Sequence, residues 1–350
     1  MRDKTLLNKR ILFIAPDFFG YELFIRNKME ELGAKVDFYH ESAVKSSYLK
    51  ALKKVHPQLL FAVNRRYYKK ILDDTKDYVY DYVLFIKCES ISTNMLKKMR
   101  SLFRGSVFIL YLYDSMANIK GIRRKLPFFD RILTFDRNDA SKNPGFFFRP
   151  NFYADEYRLQ STIDQGLNRN LYDLCFIGTI HSDRYAIIRR LAADCEEKGL
   201  RFIQYCYLQN RMMFYLYKLS KKEFFHAKIG DFQFEKLGNE KVKEIVSRSR
   251  IVLDTQHPRQ TGLTMRLIET IGMQKKVMTA NEEVRNYDFF DPQNVCVIDR
   301  KNIQIPDDFL SSDYMPVDPE IYGRYSLSQW VGDVFFHEPR IESFLDKGTD

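Results

Sequence analysis

A stretch in the second half of the chain, residues 251–280, combines side chains that could bind an anion. A short apolar run ends in a polar loop that contains His257 and Arg259, and a helical pattern follows. At helical spacing, Arg266 and Glu269 fall on the side opposite the apolar residues. A loop with a glycine and hydrogen-bond donors ahead of a helix suits a phosphate group. The pattern predicts an anion site; the alternative is an exposed ion pair of small energetic weight.

The segment GLTMRLIETIGMQKKVMTAN, residues 262–281, resembles the nucleotide-sugar segment of GT-B glycosyltransferases, especially the group-1 and CgeB-like families. The resemblance implies that Glu269 binds the ribose hydroxyls of the donor and that Arg266 or the preceding loop faces the diphosphate. Thr264 belongs to the same implied donor site. We expect Glu269→Ala to weaken donor binding by about 2–3 kcal/mol and to leave the fold intact. The retaining group's E-x7-E pair would need a glutamate where this chain has Thr261, which leaves the stereochemistry open.

A second polar loop lies in CFIGTIHSDR, residues 175–184. Gly178 lets the backbone approach a ligand, Thr179 offers a hydroxyl, and Arg184 falls in the first turn of the next helix. The segment resembles the F-x-G-[ST] turn that begins the donor domain of GT-B enzymes, close to the diphosphate. The resemblance implies that His181 donates a hydrogen bond there, with a solvated loop histidine as the alternative.

Carboxylates follow two apolar runs in the N-terminal half: Asp17 after RILFIA and Asp114 after ILYLY. If the strands are parallel, both side chains lie at the sheet edge where ligands bind. A carboxylate there could deprotonate an acceptor hydroxyl. Asp114, in ILYLYDS, resembles the aspartate that follows the corresponding strand in CgeB-like chains, and Asp17 is the competing candidate. The alternative for both is a helix cap.

Several other catalytic signatures are absent from the sequence. It has no G-x-G-x-x-G after the first strand, no Walker A motif and no G-x-S-x-G, which disfavours dinucleotide binding, ATP hydrolysis and a serine hydrolase. It also has no D-x-D, the motif with which GT-A transferases hold a divalent cation. Its five scattered cysteines argue against a metal cluster. We therefore expect a reaction without metal or cofactor, in which the nucleotide-sugar is a substrate.

The elements that must position these side chains occur in two sets. Strand-like runs alternate with amphipathic helices, give way to the polar residues 151–170, and then resume. This order predicts an α/β fold of two Rossmann-like, doubly wound domains facing a cleft. We assign residues 1–152 to the acceptor side and 153–325 to the donor side. By resemblance to GT-B chains, a C-terminal helix within residues 326–350 packs back on the first domain.

The formal net charge of +10 and the pI near 9.1 indicate an anionic partner. The segment RMMFYLYKLSKKEFF, residues 211–225, mixes cations with aromatics and suits a lipid surface, with a solvated helix face as the alternative. No nucleic-acid-binding signature is present. No apolar run reaches the length of a bilayer span, and the N-terminus has the pattern of a first strand and not of a signal peptide. We expect a cytoplasmic protein that can associate peripherally with an anionic membrane.

These patterns together predict a metal-independent glycosyltransferase. It would move a sugar from a nucleotide-sugar donor to a hydroxyl of a glycan or lipid-linked acceptor, in bacterial surface polysaccharide or lipopolysaccharide synthesis. Two alternatives remain open. A nucleotide-sugar 2-epimerase would use the same fold without an acceptor, and a non-catalytic nucleotide-binding scaffold for polysaccharide assembly would fit the missing glutamate at Thr261.

Overall fold

The chain divides into two compact units. Unit 1 comprises Met1–Pro150 and Leu327–Phe344, and unit 2 comprises Asn151–Ser326 and Leu345–Asp350. The computed structural model describes residues 5–43, 57–158, 171–257, 261–300 and 302–345. Every strand pairing within the two sheets is parallel, which confirms the predicted α/β class. Among the described helices, none has both the length and the apolar character needed to cross a bilayer.

Unit 1 contains a six-stranded sheet in the order β2-β1-β3-β4-β5-β6. The strands are β1 (Arg10–Ala15), β2 (Lys35–His40), β3 (Tyr82–Ile86), β4 (Val107–Leu112), β5 (Arg131–Thr134) and β6 (Phe147–Phe148). The helices are α1 (Tyr21–Glu31), α2 (Pro57–Thr75), α3 (Thr93–Leu102) and α4 (Arg137–Lys142). β1, β3 and β4 are apolar runs buried almost throughout, as expected of central strands in a parallel sheet covered on both faces.

Unit 2 contains a five-stranded sheet in the order β11-β10-β9-β7-β8. The strands are β7 (Tyr172–Thr179), β8 (Phe202–Tyr207), β9 (Ser249–Asp254), β10 (Lys276–Thr279) and β11 (Val295–Val297). The helices are α5 (Arg184–Glu197), α6 (Arg211–Ser220), α7 (Asn239–Ser247), α8 (Met265–Gly272), α9 (Asp307–Ser311) and α10 (Pro319–Arg324).

Each sheet has one point at which the strand order reverses. In unit 1 the first strand, β1, lies between β2 and β3; in unit 2 the first strand, β7, lies between β8 and β9. Loops that leave the two strands at such a point diverge to opposite faces of the sheet and open a crevice at its carboxyl edge. The loops after β7 and β9 are those that the sequence singled out for the donor.

The C-terminal segment belongs to unit 1 through helix α11 (Leu327–Phe335). Trp330 is fully buried, with its ring 4.8 Å from that of Tyr111 on β4. Asp333 lies 2.8 Å from the buried Arg149 guanidinium. Removing one partner of such a buried pair typically costs about 3–5 kcal/mol, so this helix is an integral part of the first unit.

Candidate functional site

Two loops flank the switch point of the unit 2 sheet. Gly178 and Thr179 end β7, and His181 follows them in the loop. His257 lies in the loop after β9, which leads towards α8. A Cβ at Gly178 would lie 3.0 Å from the Phe176 ring and 3.6 Å from an Arg184 nitrogen, so the absence of a side chain allows close packing here. The fold therefore brings these predicted donor residues to one sheet edge.

Arg184 joins the two loops. Its Nε donates to the Thr255 carbonyl oxygen at 2.8 Å and its Nη1 to the Thr179 carbonyl oxygen at 2.9 Å. Its Nη2 also donates to the Thr255 carbonyl. Burial is the main cause that lowers the pKa of the guanidinium from its usual value. The sequence assigned Arg184 to the donor; in the structure much of its hydrogen-bonding capacity holds the backbone of the two loops.

His181 and His257 form a pair across the two loops, with ring centroids 5.8 Å apart. His181 Nδ1 lies 3.1 Å from the Ser182 hydroxyl. Burial, and after it the charge of Arg184, lowers the pKa of His181 to about 3. The His181 imidazole is therefore neutral near pH 7, where it can donate one hydrogen bond without adding a charge.

Thr264 connects the end of β9 to the start of α8. Its hydroxyl donates to Asp254 Oδ1 at 2.7 Å and accepts from the Leu267 amide at 3.1 Å, which makes it the N-cap of the helix. Thr279 donates to the other Asp254 oxygen at 3.3 Å. Burial raises the pKa of the Asp254 carboxyl, and the hydrogen bond from Thr264 opposes that rise. Thr264 therefore fixes the position of the helix N-terminus.

Arg266 and Glu269 are paired within α8, with Arg266 Nη1 donating to Glu269 Oε2 at 2.8 Å. The side chain of Glu269 is only 1% exposed and that of Arg266 is 20% exposed. The alternative of an exposed surface pair is therefore wrong. Burial raises the pKa of the neighbouring Tyr157, and the Glu269 carboxylate adds to that rise. The guanidinium is the accessible member of the pair, and a ribose can reach the carboxylate only if neighbouring side chains move.

Arg300, just beyond β11, was missed in the sequence. Its Nη1 lies 2.6 Å from Asp183 Oδ2, and its Nη2 donates to both the side-chain and main-chain oxygens of Gln256 at 3.0 Å. Gln256 in turn donates to the Ala280 carbonyl at 3.1 Å. The available signal was an Asp-Arg pair directly after a strand, the same signal that singled out the other strand ends.

Of the remaining loop residues, Arg259 lies outside the described residues, so its donor role stays a prediction. Thr261 is described, and its carbonyl accepts a hydrogen bond of 2.9 Å from the Asn281 amide group. Asn281 also contacts the Gly262 carbonyl at 3.4 Å. The position that carries glutamate in the retaining group is thus attached through its backbone to the end of β10.

In unit 1, Asp114 follows β4 and is partly exposed. It accepts a hydrogen bond of 2.9 Å from the Asn118 amide and lies 3.4 Å from Lys87 Nζ. Lys87 also lies 3.5 Å from a Glu89 oxygen. Asp17 is exposed in the turn after β1, where Phe19 and Gly20 both have positive φ. Asp114 does not cap a helix: its side chain is held between a cation and an amide.

The loop after β3 that carries Lys87 has a strained backbone, with φ of 74° at Lys87 and 58° at Cys88. Two buried charged residues hold it. Glu41 accepts from the Glu89 amide and, at 2.9 Å, from the Ser90 amide. Lys125 donates to the carbonyls of Cys88 and Glu89, both at 2.8 Å. Burial is the main cause that raises the pKa of Glu41.

Neither of these buried residues was predicted, because their partners are main-chain atoms distant in sequence. The sequence showed the polar residues at the end of β3 but not the groups beneath them. Glu41 follows β2, and Lys125 lies in a short turn before β5. Their identification required the three-dimensional arrangement of the strands.

No protein-family model and no curated protein matches this chain. Solved structures do. An α-glucosyltransferase in complex with UDP and a 13-mer DNA containing a central A:G mismatch has 12% identity and a TM-score of 0.58, covering 95% of this chain and 96% of its own. A glycosyltransferase from Rickettsia africae has 12% identity and a TM-score of 0.58, and the match covers 93% of this chain and 96% of that chain. HepE of Anabaena, in complex with UDP-glucose, has 11% identity and a TM-score of 0.57, and the match covers 93% of this chain and 98% of that chain.

The matches extend over nearly the whole chain, and their low identity makes them evidence about the fold. The protein has the GT-B fold, with a Rossmann-like parallel sheet in each unit. The predicted fold class is thereby confirmed.

Proposed function

We propose that the protein is a glycosyltransferase that takes a sugar from a nucleotide-sugar donor. The observation that carries this proposal is the loop pair at the unit 2 switch point. There, Arg184 joins the loops, two histidines face each other, and the helix bearing Arg266 begins after the Thr264 cap. Switch points of doubly wound sheets are where such folds bind nucleotides. That HepE and the α-glucosyltransferase were solved with UDP-glucose and UDP supports the same assignment.

The groups at this edge suit the leaving nucleoside diphosphate. Arg266 is the more accessible member of a buried ion pair, and Arg300, which follows β11, reaches Gln256 in the loop after β9. Preorganised cations and helix N-termini stabilise charge as it develops on a leaving group. We propose that Arg266 and Arg300 serve the diphosphate, that Glu269 orients Arg266 and contacts the ribose after neighbouring side chains move aside, and that no metal is needed.

The acceptor side rests on fewer contacts. We propose Asp114 as the base that takes the proton of the attacking hydroxyl, with Lys87 and Asn118 holding its carboxylate in place. Asp17 is the competing base. The acceptor would be a glycan or a lipid-linked saccharide of a bacterial surface polysaccharide or lipopolysaccharide. A lipid-linked acceptor would bring the enzyme to the cytoplasmic face of the cell membrane.

The test is direct nucleotide binding. We expect one of UDP, GDP, CMP and TDP to raise the melting temperature of the whole chain, and calorimetry to give its affinity. Arg266→Gln keeps a hydrogen-bond donor beside Glu269 but loses the charge, and should weaken binding by about 1.5–3 kcal/mol.

Arg248→Gln is the matched control, because Arg248 pairs with Glu244 on a helix as Arg266 pairs with Glu269, but away from the loops. Its nucleotide affinity should equal that of the wild type. If no nucleotide shifts the melting temperature, or if both variants bind equally well, the donor assignment is wrong.

A further inference from the structure

Helix α6 exposes a stripe of large apolar side chains. Met212, Tyr215, Leu216 and Leu219 follow the i, i+3, i+4, i+7 spacing, which places them on one face of the helix. Their exposed fractions run from 49% for Leu216 to 87% for Leu219. Phe214, on the opposite face, is buried in the unit 2 core. A typical surface helix exposes a polar face, whereas α6 has an apolar stripe on its exposed side as well as on its buried side.

The stripe is presented by a well-anchored segment. Phe224, in the turn after α6, stacks on Tyr185 at 4.8 Å and on Phe232 at 5.6 Å between ring centroids. The next residue, Phe225, is 69% exposed. Lys221 donates to the Ser182 carbonyl at 3.2 Å. The exposed side chains therefore extend from a fixed backbone, and their exposure is not the result of a loosely packed segment.

Basic residues lie close to the stripe along the chain, and two of them, Lys218 and Lys221, also donate to the main-chain carbonyls of Ala227 and Ser182. Residues 211–225 contain four basic residues and a single acidic one, Glu223. The basic residues are Arg211, Lys218, Lys221 and Lys222. The whole chain carries a net charge of +10. A self-association through this face would bring two sets of cations together, which like-charge repulsion opposes.

We propose that the face formed by Met212, Tyr215, Leu216, Leu219 and Phe225, the α6 face, binds the surface of an anionic lipid bilayer. Large apolar side chains rimmed by lysine and arginine are the composition of helices that lie in the plane of the interface. The apolar stripe enters the boundary between headgroups and acyl chains, while the cations meet the anionic headgroups. The proposal goes beyond sugar transfer and does not depend on it.

The experiment is co-sedimentation of the full chain with vesicles of phosphatidylcholine alone and of phosphatidylcholine with phosphatidylglycerol. Wild-type protein should partition to the anionic vesicles at least about ten-fold more strongly, and less so as salt is raised. Leu216→Glu/Leu219→Glu should lower that partition by about ten-fold or more, because it places charge in the centre of the stripe.

The matched control is Leu7→Glu/Val79→Glu, which replaces two exposed apolar residues of unit 1 with the same change in net charge. It should stay within about two-fold of the wild type, because it leaves the α6 face intact. Absence of wild-type binding to anionic vesicles, or an equal loss in both variants, would overturn the proposal. So would a wild-type dimer in sedimentation velocity that only the α6 variant dissociates, with vesicle binding unchanged.

A nucleotide-induced shift in melting temperature, measured on the same preparations, separates this proposal from the donor assignment. Both double variants should retain any shift that the wild type shows. A wild type that binds vesicles but no nucleotide would leave the α6 face established and the donor site refuted.

Discussion

The carboxyl edges of the two sheets place their candidate residues differently. At the unit 2 edge, Glu269 and Asp254 are buried and Arg184 is held by two loops. At the unit 1 edge, Asp17 is exposed and Asp114 is partly exposed. There the buried charges are Glu41 and Lys125, which hold the backbone of the loop after β3.

The difference fits the separate roles that we propose for the two edges. Buried, hydrogen-bonded groups cannot reorient when charge develops beside them, so they suit a diphosphate whose position must be fixed. An accessible carboxylate on a supported loop suits a proton transfer, since an incoming hydroxyl can reach it. Because the unit 2 candidates are buried and paired, we expect them to contribute more to the stability of the fold than the accessible candidates of unit 1.

The largest expected effect is on turnover. Asp114→Asn should lower the rate of sugar transfer about 100- to 10,000-fold, because an amide cannot accept the proton of the attacking hydroxyl. Nucleotide affinity and melting temperature should stay at wild-type values, since Asp114 is partly exposed. A coupled assay for the released nucleotide, combined with calorimetry, measures both.

Asp17→Asn is the paired variant. If the large loss appears there and not at Asp114, the base is at the end of β1 and the contacts of Asp114 with Lys87 and Asn118 are structural. If neither variant loses activity, the contrast between a catalytic unit 1 edge and a binding unit 2 edge fails.

The next effect is on stability. Glu269→Ala removes the partner of Arg266 in a buried pair, and we expect the free energy of unfolding to fall by roughly 3 kcal/mol. The sequence alone predicted that this substitution would leave the fold intact; the 1% exposure of the Glu269 side chain changes that expectation. Urea denaturation followed by circular dichroism gives the value.

Glu244→Ala provides the comparison, because Glu244 pairs with Lys241 and Arg248 on the exposed face of α7. Its denaturation midpoint should match that of the wild type. Equal midpoints for Glu269→Ala and Glu244→Ala would show that the unit 2 edge contributes no more to stability than a surface helix does.

The smallest effect concerns pH. His181 has a pKa of about 3 in the folded chain, against an ordinary value near 6.5 when unfolded. The unfolded chain therefore binds the proton first as the pH falls. The stability associated with neutral His181 is complete above pH 6.5 and is lost progressively towards pH 3.

His181→Asn should flatten the loss of stability between pH 7 and pH 5, by less than about 2 kcal/mol because the ring is only partly buried. Urea denaturation at the two pH values measures the slope, and the exposed His226→Asn serves as control. If the pH dependence of the free energy of unfolding is the same in His181→Asn and in the wild type, then His181 is not buried enough to shift its pKa. The unit 2 loops would then be as exposed to water as the unit 1 edge.

Sequence reasoning recovered the strands that are long apolar runs and the loops that follow them. β4 is a continuous apolar run and β9 contains the apolar residues 251–253, so buried strands of a parallel sheet could be predicted from their composition. The two-residue strand β6 is too short to carry a periodic pattern, and only its pairing with β5 in the folded chain reveals it. The rule that selected Asp114, a polar residue just beyond the end of a strand, would also have selected Arg300.

The sequence by itself determined the fold class and which loops gather at each sheet edge, because hydrophobic periodicity and the alternation of strands with helices can be read along the chain. Only the tertiary structure decided which side chains at those edges are buried. Glu269 and Arg184 looked like solvent-facing ligands in the sequence, and Glu41 and Lys125 had no visible role. Burial and hydrogen bonding depend on partners far away in the chain, such as the Thr255 carbonyl for Arg184 and the Ser90 amide for Glu41, and no local pattern encodes them.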